Sequence, residues 1–253
     1  MPTPERRLRV WRGDASGGEF HDYSVPVFEG MVVLDALHHI QATQAPDLAV
    51  RWNCKAGRCG SCSAEVNGMP CLTCMRSVDA LPAEEPIVVT PMKAFPVIKD
   101  LVTDVSWNYE RAREIPPFAP APKPPDGPRR MYQQDIDRVQ EFRKCIECFL
   151  CQDVCHVIRD HEETRPHFAG PRFFVLLAAL EMHPLDTADR VDQIKRDAGI
   201  GFCNITKCCT EVCPEEIKIT DNAIIPLKER IVDRYYDPVL WLWRTLTGKP
   251  SKT

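Results

Sequence analysis

The sequence predicts an α+β chain: a small sheet with a helix in roughly its first hundred residues, followed by an all-α unit. Three observations carry this expectation. Apolar and polar residues alternate in short runs before residue 90, whereas further along the apolar residues recur at helical spacing. A proline-rich stretch, residues 115–128 (IPPFAPAPKPPDGP), separates the two patterns. Thirteen cysteines fall in spaced groups on both sides of it. The expected boundaries are 1–106 for the sheet unit, 107–130 for a helix end and the linker, and 131–253 for the helical unit with an aromatic tail.

Arg6 to Trp11 and Tyr23 to Phe28 alternate as two antiparallel strands, with Gly13, Gly17 and Gly18 marking the turn. Met31 to Ile40 carries helical spacing, with Val33, Leu34, Leu37 and Ile40 on one face. His38 and His39 on it read as ordinary helix residues, since no histidine–metal spacing accompanies them. A cysteine loop follows, then strands at Ala64 to Val66 and Ile87 to Val89, with Asn67-Gly68 as a hairpin signal between them. This order is that of a β-grasp ferredoxin domain. Pro96 to Glu114 reads as a helix with proline in its first turn. The proline-rich stretch is expected to lie extended over the surface, in preference to serving as a ligand for proline-binding modules. Beyond it, helices are expected over Asp135 to Phe142, over Pro171 to Met182, from a cap at Asp186 or Thr187 to Gly199, and over Ile224 to Tyr236.

The cysteines carry the chemistry. Cys145, Cys148, Cys151 and Cys155 form C-x2-C-x2-C-x3-C, and a second run holds Cys203, Cys209 and Cys213 followed by Pro214. In two-cluster ferredoxins the fourth cysteine of each run serves the other cluster, because three closely spaced thiolates wrap one corner of a cubane and the fourth points away. The expected sets are therefore Cys145, Cys148, Cys151 and Cys213 for a 4Fe–4S cluster, and Cys155, Cys203 and Cys209 for the second. A complete second run would carry cysteine at 206, where Thr206 stands. A hydroxyl competes poorly with soft thiolates for cluster iron, so three ligands predict 3Fe–4S, with Cys208 out of register. Upstream, Cys54-x4-Cys59-x2-Cys62 has plant-type 2Fe–2S spacing and needs one more cysteine; spacing leaves Cys71 and Cys74 both open. Gly57 and Gly60 suit a loop whose N–H groups turn toward sulfur.

Other readings of so much cysteine fit less well. A disulfide framework conflicts with an odd count, with the absence of an apolar signal core in MPTPERRLRV, and with a chain long enough to bury a core unaided. Structural zinc pairs two C-x2-C knuckles and seldom runs three cysteines at successive x2 spacings. A formal net charge of −4 disfavours nucleic acid as a partner. The longest uninterrupted apolar run, Phe173 to Leu180, falls well short of the ~20 residues of a membrane span.

With these motifs in hand, the chain from about Leu8 to Tyr236 resembles the iron–sulfur subunit of the succinate dehydrogenase/fumarate reductase family. The resemblance rests on C-x4-C-G-x-C at Cys54 to Cys62, the Asn67-Gly68 turn, and the two later cysteine runs in the family's order. It implies Cys74, six residues after Gly68, as the fourth 2Fe–2S ligand, with Cys71 spare, and it favours 3Fe–4S at the site with Thr206. It further implies electron transfer from a flavoprotein subunit holding FAD, through 2Fe–2S, 4Fe–4S and 3Fe–4S clusters, to quinone at a membrane anchor. The acid–base residues for succinate then belong to the flavoprotein, and no catalytic residue is expected in this chain. No G-x-G-x-x-G fingerprint for a dinucleotide occurs here, in keeping with that division. The expected location is peripheral, on the cytoplasmic face of a bacterial inner membrane. Succinate oxidation is the favoured direction. Quinol-dependent fumarate reduction, or service to another flavin dehydrogenase, is the alternative; glycolate- and glycerol-3-phosphate-type complexes lack a 2Fe–2S domain, and free ferredoxins are smaller and more acidic.

Two features stand apart. Where many relatives carry a proline, a tryptophan and a histidine beside the 3Fe–4S cluster, this chain has His156, Arg159-Asp160 and Asn204. Quinone is therefore expected to be held mainly by the anchor, or reached through a further redox centre in it, such as a haem or another iron–sulfur centre. The end of the chain, Tyr235 to Arg244 with Lys249 and Lys252 beyond, combines aromatic and basic residues suited to a membrane interface, with Trp241 and Trp243 as the expected contacts.

Overall fold

The computed structural model describes residues 5–247; Lys249 and Lys252, and the side chains of Trp241 and Arg244, lie outside the described residues. Strands β1 (Glu5–Asp14) and β2 (Gly17–Pro26) form the first hairpin. Gly13 faces Gly18 across it, and a Cβ on Gly13 would stand 2.5 Å from the Gly18 Cα, so the tight end needs glycine. Helix α1 (Val33–Thr43) starts where the Asp35 carboxylate accepts the Val32 N–H at 3.2 Å. Its apolar face, Val33, Leu34, Ala36, Leu37 and Ile40, is buried as the periodicity requires.

Strands β3 (Ser63–Val66), β4 (Met69–Leu72), β5 (Ile87–Thr90), β6 (Val97–Lys99) and β7 (Val102–Thr103) complete a sheet of order β4-β3-β5-β1-β6-β7, with β2 on the far side of β1. The central pair, β1 and β5, runs parallel and wholly buried through Leu8, Val10, Ile87 and Val89. With α1 packed across it, this is the expected β-grasp arrangement.

Three local expectations need correction. Asn67-Gly68 does form a hairpin, at φ 50° and 78°, but it joins β3 to β4 and not to Ile87–Val89. The Asn67 side-chain oxygen accepts the Val88 N–H at 2.8 Å, so the same turn also fastens β5. Pro96 to Glu114 is not one helix: it holds β6, β7 and then α2 (Ser106–Arg113). Asp100, buried and at φ 48°, makes the break, because its carboxylate accepts the N–H groups of Gly13 and Ala49 and the Arg12 guanidinium. Asp186 caps no helix either. It accepts the N–H groups of Ala119 and Ala188 and pairs with buried Arg190 at 2.9 Å, while α7 (Val191–Arg196) begins with its first N–H on Asp189. Arg190 in turn donates to the carbonyls of Pro116 and Pro117, so the proline-rich stretch is fastened to the helical unit by a buried cation.

The helical unit comprises α3 (Gln133–Gln140), α4 (Leu150–Asp153), α5 (His156–Arg159), α6 (Pro171–Glu181), α7, α8 (Cys208–Glu211), α9 (Ile225–Tyr235) and α10 (Pro238–Thr247). Helix α6 is its axis: Phe173, Phe174, Val175, Leu177 and Ala178 are buried, and α2, α3 and α4 pack on it. Leu34, Leu72, Met92 and Phe95 from the sheet unit share one core with Phe149, Leu150 and Phe168, so the two units are joined by apolar packing. Among the described residues no helix is long and apolar enough to cross a membrane.

Candidate functional site

The two later cysteine runs fold as copies of one turn. A short 3-10 helix (Glu141–Lys144, then Ile200–Phe202) ends on an extended cysteine, Cys145 or Cys203. Two left-handed residues follow, Glu147 and Phe149 in the first copy and Ile205 and Lys207 in the second, with φ between 56° and 65°. A four-residue helix then carries Cys151 or Cys209. Left-handed residues cost energy without glycine, and here they turn successive N–H groups toward the middle of the loop. In this repeat Thr206 stands where Cys148 stands in the first copy. Its hydroxyl lies 3.3 Å from the Cys208 sulfur.

The structure gathers the cysteines into three sets. Cys54, Cys59, Cys62 and Cys74 meet around the first loop, where the Ala56 and Arg58 N–H groups each donate to the Cys54 sulfur at 3.3 Å and Gly57 donates to Cys74. Cys71, the alternative that spacing left open, sits on β4 opposite Ala64 and packs against the sheet core. Cys145, Cys148, Cys151 and Cys213 surround one enclosed void, lined otherwise by apolar side chains, Arg172 and Glu215. In the third set Cys209 is within electrostatic reach of Cys155 and Cys203, and Cys208 is within reach of Cys155 and Cys209. Cys213 of the second run thus lies with the first, and Cys155 of the first run is within electrostatic reach of Cys209 in the second.

The thiols are tuned by burial. Loss of solvent pushes Cys148 and Cys155 up to about 12 and Cys209 to about 11, despite backbone N–H groups aimed at each sulfur. Fully buried Cys151 is likewise raised well above the ordinary thiol range. Such thiols give up protons only to a metal, which replaces the lost solvation. Cys59 behaves differently: desolvation opposes ionisation there, but hydrogen bonds with Ser61 and Cys54 outweigh it and bring the thiol down to about 6. Sulfur donors in cluster-type groups, backbone N–H groups turned on them and a void among four of them fit iron–sulfur clusters.

The sets stand in file. Gly60, at φ 69°, brings the first loop against Cys148, whose Cα would be 2.7 Å from a Gly60 Cβ. The Ser63 hydroxyl donates to the Cys148 carbonyl at 2.9 Å, and Arg58 pairs with Glu215 beside Cys213. Cys209 is in turn within electrostatic reach of Cys151. The loop around Cys54 is exposed at one end of the file, and residues 204–207 beside Cys203 are exposed at the other. Gly60→Ala is expected to push the two loops apart and add left-handed strain of about 1–3 kcal/mol. A thermal midpoint equal to that of the unaltered protein would count against this close approach.

Sequence reasoning missed the seam beneath the file. Glu65 on β3 is wholly buried and pairs with Arg159 at 2.9 Å and Lys93 at 3.2 Å. Asp153, next to the cysteine turn, accepts the Ala94 N–H, and burial raises its carboxyl to about 7. Arg159, which stands where many relatives carry the tryptophan, turns inward to Glu65. Asp160 and Asn204 are exposed and His156 is half-buried. A buried carboxylate on another strand leaves no local sequence signal of its partner.

Comparison with known proteins agrees with this reading of the fold. A family described as "2Fe-2S iron-sulfur cluster binding domain" matches residues 7–110, and one described as "4Fe-4S dicluster domain" matches residues 141–217. The chain is 33% identical over 208 residues to a fumarate reductase iron-sulfur subunit of Mycobacterium tuberculosis, covering 80% of this chain and 82% of that one. It is 34% identical over 221 residues to one of the subunits of a fumarate reductase (CoM/CoB) from Methanothermobacter marburgensis, covering 87% of this chain but spanning only 42% of that relative's length. Among solved structures, a Mycobacterium smegmatis Sdh1 complex in the apo form contains a chain 63% identical to this one, with a TM-score of 0.90 over 94% of this chain and 99% of the other.

Proposed function

Because the chain belongs to the family of succinate dehydrogenase/fumarate reductase iron–sulfur subunits, we propose that it is the electron-transfer subunit of a succinate:quinone oxidoreductase. In this reading Cys54, Cys59, Cys62 and Cys74 hold 2Fe–2S, Cys145, Cys148, Cys151 and Cys213 hold 4Fe–4S, and Cys155, Cys203 and Cys209 hold 3Fe–4S. When bound, the clusters supply one-electron carriers, which divide the electron pair that a flavin takes from succinate.

The observation that carries the proposal is the file of three thiol sets with an exposed loop at each end. The chain's own residues do three things for it. Backbone N–H groups of Ala56 and Arg58, each following a left-handed residue (Lys55, Gly57), donate to the Cys54 sulfur and stabilise its negative charge. Gly60 and Ser63 hold the first loop on Cys148, so that neighbouring sites are fixed at short range. Buried apolar side chains, Phe149 and Leu150 among them, exclude water between the sites.

The loop at Cys54, with exposed Trp52 under the Lys55 ammonium, suits the face toward a flavoprotein carrying FAD. The opposite loop, with Phe202 and Ile205 exposed beside Cys203, suits a membrane anchor. Arg159 is drawn to Glu65 and Asp160 lies in solvent, so neither offers a quinone the neutral N–H that an indole would. The anchor is therefore the proposed holder of quinone, directly or through a haem or further iron–sulfur centre. The complex would lie on the cytoplasmic face of the membrane. Purification from membranes should yield this chain with a flavoprotein, clusters of three types and succinate–quinone activity exceeding quinol–fumarate activity. Excess activity in the reverse direction would assign it to fumarate reduction, and isolation free of any flavoprotein would refute the proposal.

A further inference from the structure

Among the described residues, Arg172 is the one cationic side chain lining the void among Cys145, Cys148, Cys151 and Cys213. It is held there rigidly. Gly170, at φ 86°, lets the start of α6 close on Gln152, whose side-chain oxygen a Gly170 Cβ would meet at 2.1 Å. Pro171 opens the helix, and the same Gln152 oxygen accepts the Arg172 N–H at 3.2 Å. Gln152 lies in α4 beside Cys151 and is itself tied to Asn108 and to the Ala169 carbonyl, so the helix start and the cysteine turn move as one piece.

The guanidinium is largely shielded from solvent, its side chain 13% exposed, and its Nε–H is buried without a partner among the described residues. A terminal nitrogen pairs with Glu147, which is 44% exposed and so has much of its charge screened by water. The carboxylate that lines the void, Glu215, is paired with Arg58. Glu215 is 13% exposed and Arg58 75%, so the void carries a shielded anion near Cys213 and a shielded cation, Arg172, that acts on Cys145 and Cys151 without a bond to any cysteine. The arrangement exceeds what fastening α6 requires, since Gln152 already does that.

We propose that Arg172 sets the reduction potential of the 4Fe–4S cluster, an inference that rests on the ligand assignment proposed above. Uptake of one electron adds one negative charge to the cluster and its thiolates. A buried cation nearby favours the reduced form and raises the potential, and the low local polarity carries the effect across the intervening atoms. Arg172 is thus a positioning charge and not a ligand. It would make the middle site of the file easier to reduce than the same site with a neutral side chain at 172, where Glu215 would act alone.

The test is a potentiometric titration of the intact purified complex, followed by electron spin resonance, with dithionite as reductant. Arg172→Gln keeps the shape and removes the charge. The reduced-to-oxidised ratio of the 4Fe–4S cluster at a fixed potential should fall at least tenfold, a lowering of about 59 mV for one electron. Arg172→Lys should stay close to the unaltered protein, and the 2Fe–2S and 3Fe–4S midpoints should not move. An unchanged 4Fe–4S midpoint in Arg172→Gln at full iron content, or an equal shift in all three clusters, would overturn the proposal. Should Arg172→Gln lose the cluster, Glu147→Gln decides: releasing the cation from its half-exposed counter-charge must raise the midpoint, and no change overturns the idea. A complete lack of 4Fe–4S signal in the unaltered complex would instead remove the ligand assignment, and this inference with it.

Discussion

Replacing Thr206 by cysteine should convert the third site from 3Fe–4S to 4Fe–4S. The unaltered protein, isolated in air, is expected to show the spin signal of an oxidised 3Fe–4S centre; in Thr206→Cys most of that intensity should be lost, with about one more iron bound per chain. The reason is geometric as well as chemical. Thr206 occupies the repeat position of Cys148, between left-handed Ile205 and Lys207 as Cys148 lies between Glu147 and Phe149. A thiol there inherits a backbone already shaped for a ligand, and sulfur outcompetes a hydroxyl for iron. Cys208 supplies the control. Its sulfur touches the Thr206 hydroxyl, but it sits at the start of α8, in the repeat position of Leu150. Cys208→Ala should leave the 3Fe–4S signal intact. If that variant loses an iron, or if the unaltered protein carries twelve cysteine ligands, the register assignment is wrong.

Removal of everything after Asp237 should release the flavoprotein and this chain together from membranes while succinate–dye activity persists. Helix α10 exposes Val239, Leu242, Trp243 and Leu246 at 73%, 53%, 46% and 77%. These positions follow i, i+3, i+4, i+7, so they form one apolar stripe that stands exposed among the described residues. Burying one such side chain contributes roughly 1.5–3 kcal/mol, and about 1.4 kcal/mol is tenfold in affinity. Losing the stripe should therefore weaken attachment by far more than tenfold. Replacing Leu242 and Trp243 together by serine should reproduce most of the effect without shortening the chain. Attachment that survives both changes would show that the anchor grips another face, such as the loop at Phe202 and Ile205.

Much of this was legible in the sequence because its signals are local. Cysteine spacing predicts a cluster type, since ligand geometry within one turn depends only on how many residues separate the sulfurs. The crossover expected for Cys155 and Cys213 rests on the same spacing, since the fourth thiolate of each run points away from its own cluster. Strand alternation and the Leu34-Leu37-Ile40 spacing identify faces for the same reason: periodicity is a property of neighbouring residues. Spacing could not choose between Cys71 and Cys74, because which thiol reaches the loop depends on where β4 ends against β3.

What only the tertiary structure decided involves groups far apart in sequence. Asp100 broke the helix expected from Pro96 because its carboxylate reaches Gly13 and Ala49. Asp186, which looked like a cap, serves a buried arginine and the proline-rich stretch. Arg159 turned away from the third site because Glu65, buried on a distant strand, needs a counter-charge. Arg172 gained a role from a void built by residues before and after it. Local spacing determined which atoms can bind metal. Long-range burial decided which charges those atoms feel, because the cost of burying a charge is met by whatever partner the fold brings within reach.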